Sequence, residues 1–318
     1  MKRRAEIKIG VLCLPGLQSF LKDIVGHLSS RYRVRTCYSV IPQQIQETIQ
    51  WADVVWLEWA NELTIGITKN QELLNGKKVI CRLHSYEAFE DYLQKIDWRK
   101  IDDLVFVAAH IQEIAINHFP ALADQVRRMQ ILPNGIDIDR FAFSRRNRGY
   151  HLAFIGDINY KKGPMLLLHA FRELVQVENR YTLHMAGRLQ NARYALYYSQ
   201  MIKEMDLEAN IQMDGWVNDI QSWLVNKQYV VCSSVLEGHP VGIMEAMACG
   251  LKPVIHNFVG ARGIYPDGFL WNTIPGFIQQ VTSEDYDSDT YRDFIKNNFS
   301  LKSQLEKIDR LIVEPRRV

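Results

Sequence analysis

The sequence predicts an α/β protein with two Rossmann-like, doubly wound domains that face a cleft. Short runs rich in Val, Ile and Leu alternate with longer amphipathic segments along almost the whole chain. This alternation is typical of βαβ units, which form a parallel sheet with helices on both faces. A turn-rich and then basic stretch, residues 133–151, interrupts the pattern, which starts again after it. With 318 residues, the chain also has the length of about two domains.

We therefore predict a first domain over residues 1–145 and a second over residues 146–300. The amphipathic C-terminal segment, residues 301–318, is a candidate helix that packs back on the first domain. Ligands of open α/β sheets bind beyond the carboxyl ends of the strands, so functional residues are expected in the strand-to-helix loops. The predicted strands are residues 7–14, 32–38, 53–57, 78–83, 104–109 and 128–132 in the first domain, and residues 152–155, 182–186, 210–213, 229–232 and 253–256 in the second.

The composition is that of an ordinary soluble protein, with 47% hydrophobic and 23% charged residues. A formal net charge of +2 does not indicate a nucleic-acid partner. Short basic clusters occur at residues 2–4, 145–146 and 316–317. We interpret them as solvated surface, with peripheral contact to an anionic membrane as the alternative.

The cysteines and the N-terminal segment indicate the compartment. The five cysteines are odd in number and form no Cys-x-x-Cys pair, so we interpret them as buried thiols in a reducing compartment. Glu6 and Lys8 interrupt the apolar part of the N-terminal segment, which is then too short for a signal peptide. No run approaches the ~18 apolar residues of a membrane span. We expect a cytoplasmic protein, either soluble or peripheral at the inner face of the membrane.

Two common nucleotide-binding motifs are missing. The first predicted strand leads into Leu14-Pro15-Gly16 and not into Gly-x-Gly-x-x-Gly, so the dinucleotide fingerprint is absent. The segment GDINYK, residues 156–161, lacks the Gly-Lys-Ser/Thr ending of a P-loop. These absences disfavour a hydride-transfer enzyme and an NTPase. The Asp-x-Asp triplets of the chain are interpreted as turn or loop chemistry, and no metal site is predicted.

Two glutamates mark the segment SSVLEGHPVGIMEAMACGLKPV, residues 233–254. Glu237 lies in a loop before a predicted helix, which Pro240 begins and Gly250 ends. Glu245 lies inside that helix, whose other residues are apolar or small on every side. An ionised glutamate in such a place is costly unless it finds a polar partner. The sequence therefore predicts that Glu245 has a polar partner.

The residues alone leave two interpretations for each carboxylate. Glu245 bonds either to neighbouring backbone or a basic side chain, or to a diol of a ligand. Glu237 either caps the helix or belongs to a ligand site with the backbone N–H groups from His239 to Gly242. Gly238 and Gly242 let a ligand approach the backbone closely, which favours the site.

The spacing of the two glutamates resembles the Glu-x7-Glu signature of retaining glycosyltransferases with the GT-B fold, in particular family four. The segments FIGDINYKKGPMLLLHAFREL (154–174), LHMAGRL (183–189), MDGWVNDI (213–220) and LPNGIDIDRF (132–141) resemble further segments of that family. These matches cover about residues 132–256, whereas the first domain agrees mainly in architecture.

The resemblance implies a site for a nucleotide-sugar donor. Glu245 would bond the ribose hydroxyls, Glu237 would lie by the sugar hydroxyls, and Lys162 would neutralise the diphosphate. Glu237, Lys162 and His84 are the implied catalytic residues, with His84 near the donor sugar. The implied donor-binding residues are Gly16, Asp157, Lys162, Arg188, Trp216, Val217, Glu237, Gly238, His239, Pro240, Val241, Gly242 and Glu245.

Asp157 departs from the family pattern, because an arginine usually stands five residues before the phosphate-binding lysine. A carboxylate does not bind phosphate, so we hypothesise that Arg188 supplies the missing charge across the loop. His84 has a competing interpretation, since a histidine at a strand end often bonds neighbouring backbone. Glu58 and Trp59, at the end of another strand, are the candidates for contact with the acceptor.

The predicted function is that of a retaining glycosyltransferase of the hexosyltransferase type. It would move a sugar from a nucleotide-diphosphate sugar, here a UDP-sugar, to a saccharide or lipid-linked glycan acceptor. No cofactor and no metal are expected, because Lys162 and a helix N-terminus can stabilise the departing diphosphate. The alternatives are a nucleotide-sugar epimerase or hydrolase, and a catalytically silent subunit that binds a nucleotide sugar.

Overall fold

The computed structural model describes residues 6–70 and 72–315. The described residues form two compact units, one of residues 6–134 with 302–315 and one of Gly135–Leu301. The basic clusters at residues 2–4 and 316–317, and the end of the predicted C-terminal helix, lie outside the described residues.

The first unit is built on a parallel sheet. Its strands are β1 (Lys8–Leu12), β2 (Arg33–Cys37), β3 (Val54–Glu58), β4 (Lys78–Leu83), β5 (Asp103–Phe106) and β6 (Met129–Ile131). Within the described residues they form a six-stranded sheet in the order β2-β1-β3-β4-β5-β6. Its helices are α1 (Lys22–Ser29), α2 (Pro42–Trp51), α3 (Glu62–Lys69), α4 (Tyr92–Lys95), α5 (Ala109–His118) and α6 (Leu122–Gln125).

The second unit has the same kind of sheet. Its strands are β7 (His151–Ile155), β8 (Thr182–Ala186), β9 (Ile211–Gly215), β10 (Tyr229–Cys232), β11 (Lys252–His256) and β12 (Leu270–Trp271). Their order is β12-β11-β10-β7-β8-β9. The helices are α7 (Pro164–Val177), α8 (Ala192–Glu204), α9 (Ile220–Leu224), α10 (Val241–Ala248), α11 (Ile274–Thr282) and α12 (Ser288–Asn298), and α13 (Leu301–Val313) follows them. No helix in the described part of the chain is both long and apolar enough to cross a membrane.

The inner strands of both sheets are buried on both faces. In β3, Val55 and Leu57 belong to one hydrophobic cluster, whereas Val54 and Trp56 belong to another. Strands covered by helices on both sides are mostly apolar, which is why they appear in the sequence as hydrophobic runs. The predicted class of two Rossmann-like, doubly wound α/β domains is confirmed. All five cysteines are buried and free, in agreement with the prediction.

The boundary between the units lies after Asn134 and not near residue 145. Residues 135–145 belong to the second unit, because Ile136 and Phe141 are part of its hydrophobic core. The backbone N–H of Ile136 also donates to the carbonyl of Phe299 over 2.7 Å. The turn-rich composition that suggested a linker therefore describes a segment anchored on the second unit.

Helix α13 packs in the first unit, although it is the last helix of the described chain. Ile308 and Leu311 share a hydrophobic cluster with Ile9 of β1. The carboxylate of Asp309 accepts a hydrogen bond from the guanidinium of Arg31 over 2.8 Å. The first unit is thus built from segments far apart in the sequence.

Candidate active site

The loops after β7 and β10 lie side by side at the point where the second sheet changes direction. β8 and β9 follow on one side of β7, whereas β10, β11 and β12 lie on the other. In doubly wound sheets, ligands bind beyond the strand carboxyl ends at such a switch point. The loop after β7 carries Lys162 and the loop after β10 carries Glu237. Two of the residues predicted to be catalytic therefore meet at this position.

Lys162 and Glu237 form an ion pair. The Nζ of Lys162 lies 2.6 Å from Oε1 of Glu237, and the Ser234 hydroxyl donates to the same oxygen over 2.6 Å. Burial opposes the charged form of Glu237, but the ammonium groups of Lys162 and Lys161 outweigh it and lower the pKa of Glu237. Burial also opposes the charge on Lys162, yet the carboxylate raises the pKa of Lys162. Both partners are therefore ionised at neutral pH.

Two glycines let the loop after β7 approach its neighbours. Gly163 has a left-handed backbone (φ 59°), and a Cβ there would lie 2.0 Å from the carbonyl oxygen of Ser233. Gly156 (φ 134°) lies under Lys162, whose Cε would be 3.2 Å from an added Cβ. The Asn159 side chain accepts from the Lys162 N–H, and α7 then begins at Pro164. The sequence GDINYKKGP thus holds Lys162 against the loop after β10.

Glu245 lies in α10 without a hydrogen bond or ion pair to any described residue. Burial raises its pKa to about 7, and the more distant positive charge of Arg140 lowers it only in part. Of the two interpretations of this carboxylate, the bond to neighbouring backbone or to a basic side chain is not seen in the described part of the chain. Glu245 keeps its accepting capacity for a ligand.

The start of α10 is enclosed. Gly238, His239 and Pro240 are buried, and the His239 ring packs edge-on against Phe299 at a centroid distance of 4.8 Å. Val241 opens the helix, and a Cβ on Gly242 would lie 2.9 Å from Cγ2 of Ile155 at the end of β7. The first N–H groups of α10 are therefore fixed next to the loop that carries Lys162.

Asp157 and Arg188 connect the loops after β7 and β8. The Asp157 carboxylate accepts from the backbone N–H of Arg188 and from the Gln190 side-chain amide, each over 3.0 Å. Asp157 is therefore engaged in holding the loops together. The guanidinium of Arg188 lies over the indole of Trp216, 4.8 Å from the ring centroid. Trp216 is exposed and Val217 is half-buried, and both residues directly follow β9.

In the first unit, Glu58 is fully buried, and its contact with an acceptor stays a prediction. Its Oε1 lies 2.8 Å from Nε2 of His84 and 3.1 Å from Nη1 of Arg82, and its Oε2 accepts from the Trp56 indole over 2.7 Å. Burial opposes ionisation, but the Arg82 guanidinium and His84 outweigh it, so the pKa of Glu58 is lowered. Glu58 orients the His84 ring. The competing interpretation of His84 was a bond to neighbouring backbone, but its Nε2 bonds to this carboxylate.

A second buried acid and an aromatic ring complete the surroundings of His84. The Glu87 carboxylate accepts from the backbone N–H groups of His84 (3.2 Å) and Ser85 (3.0 Å). Trp59 stacks on the His84 ring at a centroid distance of 3.8 Å and an interplanar angle of 25°. Trp59 is only 8% exposed, and its indole N–H donates to the carbonyl of Leu17 over 3.0 Å.

Gly16 lies in an exposed turn after β1. Its backbone is left-handed (φ 87°), and a Cβ there would have no neighbour within 4 Å. A glycine is therefore favoured by the turn conformation and not by crowding. The predicted role of Gly16 at a diphosphate stays a prediction, as do the roles of His84 and Trp59 towards substrates.

Sequence reasoning missed Ser234, Lys161 and Glu87. Ser234 bonds to Glu237 three residues later, and Glu87 bonds back to the start of its own turn. Because Ser85 is the cap and Glu87 is only the second residue of the turn, the segment departs from the Ser/Thr-x-x-Glu capping box. The sequence therefore gave no capping signal for Glu87. Within the described residues, no group of three or more His, Cys, Asp and Glu side chains could hold a metal ion.

Curated relatives act on lipid-linked glycans. One is the UDP-Gal:alpha-D-GlcNAc-diphosphoundecaprenol alpha-1,3-galactosyltransferase of Escherichia coli, 24% identical over an alignment of 214 residues that covers 59% of this chain and 54% of the relative. Another is the GDP-mannose:cellobiosyl-diphosphopolyprenol alpha-mannosyltransferase of Xanthomonas oryzae, 24% identical over 70% of this chain and 60% of the relative. The chain thus spans between half and two thirds of the length of these relatives.

Solved structures show the same fold at low sequence identity. Anabaena HepE, in complex with UDP and glucose, has a TM-score of 0.78 at 16% identity over 96% of this chain and 99% of HepE. Sucrose-phosphate synthase from Thermosynechococcus elongatus has a TM-score of 0.74 at 12% identity over 96% and 98% of the two chains. The sequence profile of the family "Glycosyl transferases group 1" matches residues 136–310. Since this match covers more than half of the 318 residues, the chain belongs to the glycosyl transferases group 1, with two Rossmann-like domains of the GT-B fold.

Proposed function

We propose that the protein is a retaining glycosyltransferase that moves a sugar from a nucleotide-diphosphate sugar to a saccharide or lipid-linked glycan acceptor. The observation that carries this proposal is the Lys162–Glu237 ion pair at the switch point of the second sheet, followed by a helix whose Glu245 has no partner among the described residues. The Lys162 cation and the N-terminus of the helix suit the diphosphate of such a donor. The unpartnered carboxylate of Glu245 suits its diol.

The reaction breaks the bond between the anomeric carbon and the diphosphate oxygen. Negative charge develops on the diphosphate, which Lys162 and the first N–H groups of α10 stabilise. An acceptor hydroxyl forms the new bond on the same face, and its proton passes to the departing phosphate oxygen. Lys162 is bound to Glu237 before any donor arrives. The diphosphate therefore competes with Glu237 for the ammonium group, and the freed carboxylate oxygen becomes available to the sugar hydroxyls.

Arg188 supplies the second positive charge in this proposal. Its backbone is tied to Asp157, and its guanidinium lies on the Trp216 indole. When the face of a guanidinium stacks on an indole, the N–H groups at the edge of the guanidinium stay available to a phosphate. No metal is required in this scheme, because the leaving group receives its compensating charge from Lys162 and Arg188.

The acceptor and the nucleobase are proposed from the relatives. Both curated relatives named above act on diphosphate-linked polyprenols, so we propose a lipid-linked acceptor. Their donors are a UDP-sugar in one case and a GDP-sugar in the other. We propose a UDP-sugar here, with the exposed Trp216 beside the base, and a peripheral location at the membrane that holds the acceptor.

The test is a thermal-shift screen with UDP-, GDP-, ADP- and dTDP-sugars, with and without EDTA. We expect a UDP-sugar to raise the unfolding midpoint of the wild type in both conditions. Glu245→Gln should reduce the donor affinity by about tenfold, since a bond to a charged acceptor is worth ~1.5–3 kcal/mol. Lys162→Ala and Arg188→Ala should both weaken donor binding, whereas Arg193→Ala, an exposed arginine of α8, is the control for lost positive charge.

Product analysis separates the remaining possibilities. Transfer to a diphosphate-linked polyprenyl sugar with retained configuration is the expected result. Donor turnover without acceptor would indicate a hydrolase or an epimerase, and binding without release of nucleoside diphosphate would indicate a silent subunit. Failure of every nucleotide sugar to stabilise the protein would refute the proposal.

A further inference from the structure

The first unit contains a cavity of about 400 Å³ between helices α2 and α3. Its walls are mainly apolar, and they include Leu14, Val40, Ile45, Leu63, Ile67 and Leu73. A cavity of this size falls within the range of small-molecule sites, roughly 300–1,000 Å³. None of the six residues belongs to the site in the second unit.

The cavity lies at the carboxyl edge of the first sheet. Leu14 follows β1, Val40 follows β2, and Leu63 is in the first turn of α3, which follows β3. The Gly16 turn and the Trp59–His84 stack also follow strands of this sheet at the same edge. The cavity therefore belongs to the edge at which ligands of such sheets bind.

We propose that this cavity binds the first isoprenoid units of a polyprenyl-diphosphate acceptor, an inference that rests on the function proposed above. Branched hydrocarbon units match the Leu, Ile and Val side chains of the walls. Large apolar side chains also lie exposed beside the cavity, since Val40 is 66% and Ile41 is 50% exposed. These side chains offer a continuation of the apolar surface along an extended chain.

The charges favour a hydrocarbon chain over a phospholipid surface. Of the described residues that line the cavity, none is Lys or Arg, and Glu62 is an acid. Helix α2 has the sequence PQQIQETIQW and carries no basic residue. Binding to anionic headgroups depends on clusters of Lys and Arg, so the cavity fits the apolar part of one ligand and not a membrane surface.

Gly66 keeps the cavity open. It lies inside α3 and lines the cavity, and a Cβ at this position would have no neighbour within 4 Å. A Cβ here therefore fits without displacing a neighbour. Gly26 in α1 has equally free surroundings but does not line the cavity. The chain thus offers a matched pair of glycines for a test.

The experiment measures binding of farnesyl diphosphate and dimethylallyl diphosphate to the full chain by calorimetry. We expect the wild type to bind the longer compound at least about tenfold more tightly, because its further isoprene units bury more apolar surface. Gly66→Leu should fill the cavity and reduce this preference to less than about threefold, with Gly66→Ala in between. Gly26→Leu should keep the wild-type preference. Thermal unfolding of each variant establishes that it is folded. If Gly66→Leu does not fold, Gly66→Ala takes its place in the comparison.

Equal affinity of the wild type for the two diphosphates would overturn the proposal, as would an unchanged preference in Gly66→Leu. Sedimentation with phosphatidylglycerol vesicles gives a further readout. If Gly66→Leu lowers vesicle binding but leaves the chain-length preference intact, the occupant is a phospholipid and the proposal is wrong. The nucleotide-sugar screen distinguishes the two failures. If a UDP-sugar stabilises the protein but the two diphosphates bind equally well, the proposed glycosyltransferase function survives and the proposed isoprenoid site does not. If the longer diphosphate binds more tightly but no nucleotide sugar binds, only the proposed isoprenoid site survives.

Discussion

At the scale of single residues, Glu237 and Glu245 differ in how the fold treats their charge. Glu237 is paired with Lys162 and bonded by Ser234, so burial does not prevent its ionisation. Glu245 has neither kind of partner among the described residues, and its pKa is raised to about 7. One carboxylate is satisfied by the protein itself, whereas the other depends on what binds.

Glu245 should lower the stability of the ligand-free protein as the pH rises. Its pKa in the folded chain is about 7 against an ordinary value of 4.5, so the folded state holds the proton more tightly. Stability is therefore lost between about pH 4.5 and pH 7, by up to ~3 kcal/mol once the carboxyl is fully ionised. We expect Glu245→Gln to unfold at the wild-type temperature at pH 4 and at a higher temperature at pH 8.

Glu204→Gln, at an exposed position of α8, controls for the loss of one negative charge. If Glu245→Gln raised the unfolding temperature equally at pH 4 and pH 8, the burial of the Glu245 charge would not be the cause of the increase. With a UDP-sugar present at pH 8, the order of the wild type and Glu245→Gln should reverse, because the proposed diol then satisfies the carboxylate.

His84 shows what sequence could and could not predict at this scale. The family resemblance pointed to this residue, but nothing in the sequence pointed to its partner Glu58. Glu58 lies opposite Arg82 in the register of β3 and β4. Because Arg82 bonds to the Glu58 carboxylate, this acid at a strand end can be buried. Register is set by tertiary pairing, so a single sequence did not reveal it.

At the scale of elements, buried parallel strands were the most predictable part. The prediction for residues 78–83 coincides with β4, because all six of its residues are buried and four of them, Val79, Ile80, Cys81 and Leu83, are apolar. β12 was not predicted, since Leu270–Trp271 is only two residues long and gives no pattern. The segment before α1, Gln18–Leu21, forms a 3-10 turn, and α1 starts only at Lys22.

The contact between the loops after β7 and β10 should depend on the glycine at position 163. In Gly163→Ala, the new Cβ meets the Ser233 carbonyl oxygen, and the left-handed backbone adds strain of ~1–2 kcal/mol. The two loops must separate, which also pulls Lys162 away from Glu237. We expect a loss of at least ~3 kcal/mol in urea unfolding, together with weaker donor binding.

Gly16→Ala is the matched control for this prediction. Gly16 has a left-handed backbone too, but its Cβ would meet nothing within 4 Å. Its cost should be limited to the backbone strain. If the two alanine variants lose the same stability, the close approach of the loops contributes nothing.

At the scale of the whole molecule, the chain returns to its first unit at the end. The sequence pattern predicted a C-terminal helix and a domain boundary near residue 145. The boundary was predicted in the wrong place because the composition of residues 133–151 resembles that of a linker. Turn residues there reflect an irregular path over the second unit, where Ile136 and Phe141 are buried. Local composition does not distinguish such a path from a free linker.

The last two helices should therefore stabilise different units. Ile295 of α12 and Ile308 of α13 are both fully buried, but Ile295 packs in the second unit and Ile308 in the first. Each substitution to alanine should cost ~2–5 kcal/mol through lost burial and the cavity left behind. In hydrogen exchange followed by mass spectrometry, Ile308→Ala should accelerate exchange in β1 and β3, and Ile295→Ala should accelerate it in β10 and β11. Acceleration of all four strands by either variant would mean that the two units unfold together, and that α13 stabilises the molecule as one cooperative body.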